Sequence, residues 1–245
     1  MSSQTLETDL GPDLREFVDR TSADATHAFG VLRETGTISS SATVQINERV
    51  PGRDALVGIV HPNPWQRVER SEPAVFGFDG MPIAGDAQAA RGARRFAAIF
   101  EQHPGITTVV HVHTPFLGAW AQAQRPLPIR YVAVQRHTLA VELPVYLDRR
   151  QAEVDFILEQ LERDPFLPAI VEANGGATVW GRDGLLATAQ FIQLLEEGAQ
   201  FQTLAEAIGG SQDYGPGVLR QQWAMTGLLE AARANPELAR RLDRS

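Results

Sequence analysis

The spacing of apolar residues divides the chain into alternating helical and extended segments. Leu14, Phe17, Val18, Ala25, Phe29 and Leu32 line one face of a helix predicted from Asp13 to Arg33 and ending at Gly36. The runs 41–46 and 55–60 predict strands separated by a Pro51-Gly52 turn. The run 74–78 predicts another, closed by the turn dipeptide Asp79-Gly80. A helix over 87–102, a buried strand from Gly105 and a helix from Pro115 to Gln124 follow. Residues 131–134 and 139–146 read as strand-like, 149–162 as a helix, and 169–172 as a strand entering the tight turn Asn174-Gly175-Gly176. A long apolar helix covers 185–208 and a last helix covers 218–242. No repeat or linker interrupts the pattern. It predicts one α/β domain over residues 1–245: three layers, with a mostly antiparallel central sheet flanked by helices.

Composition narrows the chemistry. The chain of 245 residues is 43% hydrophobic, enough for a sizeable core. A net charge of −8 with scattered basic residues argues against nucleic acid and anionic membrane as partners. No apolar run is long enough for a spanning helix. The N-terminus has neither a basic start nor an apolar stretch, so a cytoplasmic location is expected. Cysteine is absent, which removes disulfides, thiolate metal sites and thiol nucleophiles. Lysine is absent too, all 22 basic residues being arginine, so no Schiff base and no P-loop can form. A carbonyl substrate would have to be polarised by a metal or by hydrogen bonds.

The most informative feature is His111-Val112-His113, at the end of the apolar run Gly105 to Val110. Positions i and i+2 of a strand share a face, so both imidazoles project the same way, about 6–7 Å apart along the strand. That spacing lets two ring nitrogens converge on one divalent ion. The plainer alternative is a pair of strand-end histidines with ordinary hydrogen bonds. Thr114-Pro115 then predicts a helix start with a hydroxyl cap and proline in the first turn.

Taken in order, these segments resemble the class II aldolase/adducin family, from about Gly36 to Ala207. The resemblance is carried by Gly36-Thr37-Ile38-Ser39, Phe78-Asp79-Gly80, His103-Pro104, the run Val109 to Pro115, Leu143-Pro144-Val145, and Asn174-Gly175-Gly176 before Gly181. It implies one divalent metal ion (zinc, manganese or iron) held by the histidine pair and a third histidine. It also implies an enediolate formed by carbon–carbon cleavage or decarboxylation. Departures bear on each part. The third histidine's turn reads Asn174-Gly175-Gly176, and the acid/base glutamate's position, nineteen residues before His111, is Gly92. The serines that bind phosphate correspond to Ala90 and Arg91, and the second phosphate loop reads His61-Pro62-Asn63-Pro64, where Pro64 has no N–H to offer. A phosphorylated sugar is therefore not expected. Arg91 suits a carboxylate, with Thr37 and Asn63 as further substrate-binding candidates, although Arg91, Arg94 and Arg95 also fit a solvated helix face.

Tyr131 falls where the aldolase carries a proton-donating tyrosine from a neighbouring subunit. His137 falls near the position of the catalytic aspartate in the family's epimerases. The resemblance thus makes Tyr131 and His137 catalytic candidates, and His137 also a replacement metal ligand; Glu172 and Asn174 are the carboxylate and amide alternatives. A ring packed on a strand and a surface histidine are the plain readings. Phe116, Trp120 and Trp65 can line a pocket or pack the core. The expected activity is that of a metal-dependent lyase on a non-phosphorylated oxo- or hydroxy-carboxylate, in a homo-oligomer such as a tetramer. A non-haem iron oxygenase of the clorobiocin and novobiocin type, acting on an aromatic oxo-acid, is the alternative, because an open iron site needs vacant positions. A non-catalytic scaffold is a third reading.

Overall fold

A computed structural model describes residues 10–65, 72–85 and 93–242. Helix α1 (Pro12–Glu34) starts with proline in its first turn and buries Leu14, Val18, Ala25, Phe29 and Leu32. Two strands follow, β1 (Val44–Arg49) and β2 (Ala55–Val60), the first beginning three residues later than the apolar pattern places it. Residues 41–43 instead lead in from the loop after α1, and Thr43 accepts a hydrogen bond from His113 N at 2.9 Å. Strand β3 (Ala74–Gly77) pairs with β4 (Pro82–Ala84), a strand too short and too proline-marked for periodicity to show. Of the helix expected over 87–102, residues 93–102 are described: a tight turn (Ala93–Phe96) and then α2 (Ala97–Gln102).

Strand β5 (Thr108–Val112) leads into α3 (Pro115–Ala123). The cap at that junction differs from the expected one. Thr114 does not cap α3; its hydroxyl donates to Glu196 at 2.5 Å, and Glu196 takes the helix's first amides instead, Phe116 N at 2.6 Å and Leu117 N at 2.9 Å. After β6 (Leu127–Pro128), residues expected as strand form α4 (Val132–Gln135), a single helical turn anchored when Gln135 N donates to Tyr131 O. The segment expected as one strand over 139–146 is split at Pro144 into β7 (Glu142–Leu143) and β8 (Val145–Tyr146), which join different sheets. Helix α5 (Glu153–Arg163), β9 (Ala169–Glu172), β10 (Ala177–Gly181) and α6 (Leu185–Ala205) follow. The final helix is three: α7 (Val218–Met225), α8 (Leu229–Ala234) and α9 (Pro236–Leu242), broken at Gly227, whose φ is +75°, and ahead of Pro236.

Among the described residues the central sheet has eight strands in the order β4-β3-β2-β1-β5-β10-β9-β8. Every pairing is antiparallel except β8 with β9. Helices flank it, and the fold is the mixed α/β arrangement that the pattern predicts. Helices α1 and α6 pack on each other and on β2, β5 and β10, while α2 packs on α5. Strand β5 is therefore interior, hydrogen-bonded to β1 on one side and β10 on the other.

One half-buried carboxylate on the central sheet responds to pH. Glu48 of β1 accepts a hydrogen bond from Thr108 Oγ1 at 2.5 Å. Burial, with the charge of Asp24 adding, pushes its pKa from about 4.5 up to about 7 against that bond. The folded chain thus binds this proton more tightly than the unfolded chain. The stability it contributes is full below about pH 4.5 and is lost as pH rises through about 7. The loss should be on the order of 3 kcal/mol at most. Urea denaturation of Glu48→Gln should lack this part of the slope between pH 4.5 and 8; a variant slope matching the parent's would contradict it.

Candidate metal centre

His111 lies on the face of the sheet turned toward α5. Its antiparallel partners are Gln45 on β1 and Thr178 on β10, so three polar side chains cross adjacent strands. Thr178 is fully buried, and Gln45 Nε2 is buried with no hydrogen-bond partner among the described residues. The His111 and His113 rings meet edge to face with centroids 5.2 Å apart, as their shared strand direction requires. His113 continues the ladder past the end of β5, its amide donating to Thr43 O and its carbonyl accepting from Ser39 N, both at 2.9 Å.

Glu172, at the end of β9, is the carboxylate alternative that the sequence offers beside His137. Its turn brings the carboxylate against the pair rather than away from it. Glu172 Oε1 lies 2.8 Å from His111 Nδ1 and 2.8 Å from Thr178 Oγ1. Thr178 Oγ1 also lies 2.7 Å from Oε1 of Glu153, the first residue of α5. One ligand atom each from His111, Glu153 and Glu172 falls within 4.8 Å of the others. Two arginines close the cluster: Arg95 Nη1 stands 3.3 Å from Glu153 Oε2, and Arg149 Nη1 stands 3.6 Å from Glu172 Oε2.

The absent third histidine has a visible counterpart here. Asn174 turns the chain with φ +57°, a value that asparagine tolerates. A Cβ at Gly175 would meet Arg149 Nη2 at 3.4 Å and the Glu172 side chain at 3.5 Å. The space beside the turn is thus taken by an arginine–glutamate pair. Gly176 approaches still closer, with room for no side chain between β10 and His113.

Electrostatics keep His113 suited to a cation. Burial, with His111 nearby, lowers the His113 pKa, while Glu172 opposes this, so His113 favours the neutral form. Burial raises the Glu172 carboxyl, but the hydrogen bond and charge of His111, with Thr178 and Arg95, outweigh it and leave the pKa well below the usual range. Glu153 goes the other way, raised by burial and by the charge of Glu172. A carboxylate on Nδ1 is the usual device for presenting the opposite nitrogen of a histidine to a metal. The contact is shorter than the roughly 3 Å or more between two donors bound about 2.1 Å from one ion. Glu172 therefore orients His111, and the donor set of two imidazoles beside carboxylates fits a divalent transition metal.

The other expected residues lie elsewhere in the chain. His137 packs on Phe191, ring centroids 5.6 Å apart, in a cleft of about 440 Å³ shared with Phe166, Trp180 and Asp183; neither His111 nor His113 lines it. Tyr131 donates its hydroxyl to Glu197 at 2.6 Å and stands edge-on to Phe201. The Thr37 hydroxyl is engaged by Thr35 at 2.8 Å, although Ser39 in the same loop touches His113. Asn63 Oδ1 accepts from Trp65 N within its own turn. Arg91 lies outside the described residues. Trp120 is buried and Phe116 partly so, both in the core as the plainer reading has it, while Trp65 is 94% exposed. Glu153 and Thr178 gave no signal of their own, one resembling an acid in a helix's first turn and the other an ordinary strand threonine.

This sheet, with its histidine pair at the end of an interior strand, has the fold of the class II aldolases. Its closely similar solved structures include L-fuculose 1-phosphate aldolase (TM-score 0.69, 13% identity, 85% of this chain and 96% of that one). A second is YgbL, a putative aldolase/epimerase/decarboxylase from Escherichia coli (TM-score 0.65, 17% identity, 84% and 97% covered). A third is an aldolase II superfamily protein from Pseudomonas syringae (TM-score 0.65, 17% identity, 96% and 92% covered). No curated protein sequence matches. The profile of the Class II Aldolase and Adducin N-terminal domain matches residues 59–203, more than half of the chain, and the protein belongs to that family.

Proposed function

We propose that this protein is a metal-dependent lyase that cleaves or decarboxylates a non-phosphorylated oxo- or hydroxy-carboxylate. The observation that carries the reading is the histidine pair on an interior strand, with the Nδ1 of His111 held by Glu172 at 2.8 Å. His111 and His113 would hold the ion. When bound, a divalent ion there supplies Lewis acidity to a substrate carbonyl or enolate oxygen. Gln45 Nε2, beside His111, is a donor for a second substrate oxygen. Arg149, and Arg91 beyond the described residues, are cations for a carboxylate. Against a phosphate stand Pro62 and Pro64, the internal engagement of Asn63, and the Thr35–Thr37 contact.

Untagged protein should bind about one divalent ion per chain. His111→Ala should lose that ion while keeping the circular dichroism of a folded chain; unchanged metal content would defeat the proposal. A second reading, an iron-dependent oxygenase, requires the Glu172 carboxylate to turn from His111 Nδ1 and join the two histidines on the ion; its nearness to His111 is the observation that favours it. Oxygen consumption by iron-loaded protein with aromatic oxo-acids separates the two.

We further propose a cytoplasmic cyclic tetramer of single-domain chains in which Tyr131 and His137 reach a neighbour's centre, His137 as a third ligand or a base. No helix among the described residues is long and apolar enough to cross a membrane. Support for assembly comes from Phe201, Leu204 and Ile208, 48, 58 and 89% exposed along the end of α6 and the turn after it, beside Tyr131. Light scattering should report four chains; a monomer at micromolar concentration would remove the case for both residues.

A further inference from the structure

The cleft beside Phe191 is built in part by helices that the family profile does not reach. The profile ends at residue 203, whereas α7 to α9 run from Val218 to Leu242. Trp223 of α7 is fully buried, and its Nε1 lies 3.1 Å from Gln135 O and 3.3 Å from Thr138 O, on either side of His137. Trp223 O also accepts from Leu228 N at 2.9 Å, which fixes Leu228 at the corner between α7 and α8. His137 and Leu228 both line the cleft of about 440 Å³, whereas His111, Glu153, Glu172 and Thr178 do not. It is a place separate from the metal centre.

Its wall is held in shape by hydrogen bonds that leave it apolar. The carbonyls of Pro165, Phe166, Leu167 and Pro168 accept from Arg182 Nη2, Thr138 Oγ1, Trp180 Nε1 and Trp180 N in turn. The Thr188 hydroxyl donates to Gly184 O. What remains facing the opening is Phe166, 38% exposed, with Leu167, Trp180, Phe191, Leu194 and Leu228. Such a wall disfavours an unpaired polar group and favours a ring. The rim is of the opposite kind. Arg182 and Asp183 are consecutive and exposed, and both line the cleft. Arg182 reaches Pro165 O at 3.2 Å, and Asp183 has no hydrogen bond or ion pair among the described residues.

We propose that this cleft binds a small aromatic zwitterion, a free α-amino acid whose ring lies on the apolar wall, whose carboxylate meets Arg182 and whose ammonium meets Asp183. A ligand carrying only a carboxylate would face Asp183 across the same rim, and one carrying only an ammonium would face Arg182. Two opposite charges on neighbouring residues are matched by two opposite charges on neighbouring atoms of the ligand. A residue within a peptide has lost both charges to its amide bonds, so the ligand is a free amino acid. The volume falls in the range of about 300–1,000 Å³ usual for small-molecule sites. The site takes no part in holding an ion, so it goes beyond the lyase reading and does not depend on it.

Titration of the full-length protein with L-phenylalanine should saturate at about one site per chain, with a dissociation constant near or below about 1 mM. L-alanine, which lacks the ring, should bind at least about tenfold more weakly. Arg182→Ala should weaken phenylalanine by about three- to tenfold, the effect of one partly exposed charged pair, and leave phenylalaninamide, which has no carboxylate, unchanged. Asp183→Asn should weaken phenylalanine by a similar factor and spare 3-phenylpropionate, which has no ammonium. Leu228→Glu, which sets a charge against the ring, should abolish binding; if that change unfolds the C-terminal helices, the two exposed rim variants still decide. Failure of millimolar phenylalanine to saturate the protein overturns the proposal. So does an Arg182→Ala variant that loses phenylalanine and phenylalaninamide equally, since the arginine would then only shape the cleft. If light scattering shows Leu228→Glu splitting an oligomer that phenylalanine leaves intact, the occupant is a second copy of the chain and the proposal fails. None of these readings depends on metal content, so this proposal and the lyase reading fail separately.

Discussion

Glu196→Ala should be among the most destabilising single substitutions in this chain, lowering the unfolding free energy by roughly 3–5 kcal/mol. The carboxylate is buried and accepts from Thr114 Oγ1, Phe116 N and Leu117 N. Truncation leaves three buried donors without an acceptor, each costing about 1–3 kcal/mol less whatever water recovers. It also removes the side chain that caps α3 among the described residues, since Thr114 makes no capping bond. Glu196→Gln should fall between, because its amide keeps one acceptor and turns a donor toward the helix amides. Urea denaturation at neutral pH measures this directly. A loss below about 1 kcal/mol would mean that the amides reach water and that the buried carboxylate is incidental.

Gly176→Ala should be comparably severe and should also disable the centre. A Cβ there would lie 2.1 Å from Val112 O and 2.6 Å from His113 Cδ2. The first obstacle is the backbone of β5, which cannot move without breaking its ladder with β10, where Ala177 pairs with Val112. The second is a proposed ligand. The expected cost is roughly 3 kcal/mol, the upper range for forcing atoms into a packed site. Metal affinity should fall at least about tenfold, because His113 must yield whichever way the strand relaxes. Isothermal titration with zinc, on protein confirmed folded by circular dichroism, tests the second claim. Stability lost with full affinity would show that His113 is not in the ligand set.

How far the sequence discloses this molecule depends on the range of the forces involved. Strand β2 and the start of β3 follow from short continuous apolar runs, and α1 from its apolar stripe. The α4 segment does not, since the β-branched Val132 and Val134 favour strand; the turn is set by the bond from Gln135 N to Tyr131 O. The same division runs through the centre. Two histidines on one strand are visible because their relation is local. Glu172 joins them across 61 positions of sequence, and Thr178 across 67. Only the register of β9, β10 and β5 puts them together, and no single-sequence pattern records register between distant strands. Glu153 is further hidden, because an acid in a helix's first turn is so common that it draws no notice.

The interior place of β5 also sets a timescale. A strand hydrogen-bonded on both sides exposes its amides only when a neighbour leaves, so exchange with solvent deuterium there should require the whole sheet to open. Strands β4 and β8, at the two margins, can fray alone. The amides of Val109 to Val112 should therefore be among the last to exchange, at rates that report global unfolding. A centre mounted on that strand would keep its geometry through every partial opening of the margins and lose it only when the molecule as a whole comes apart.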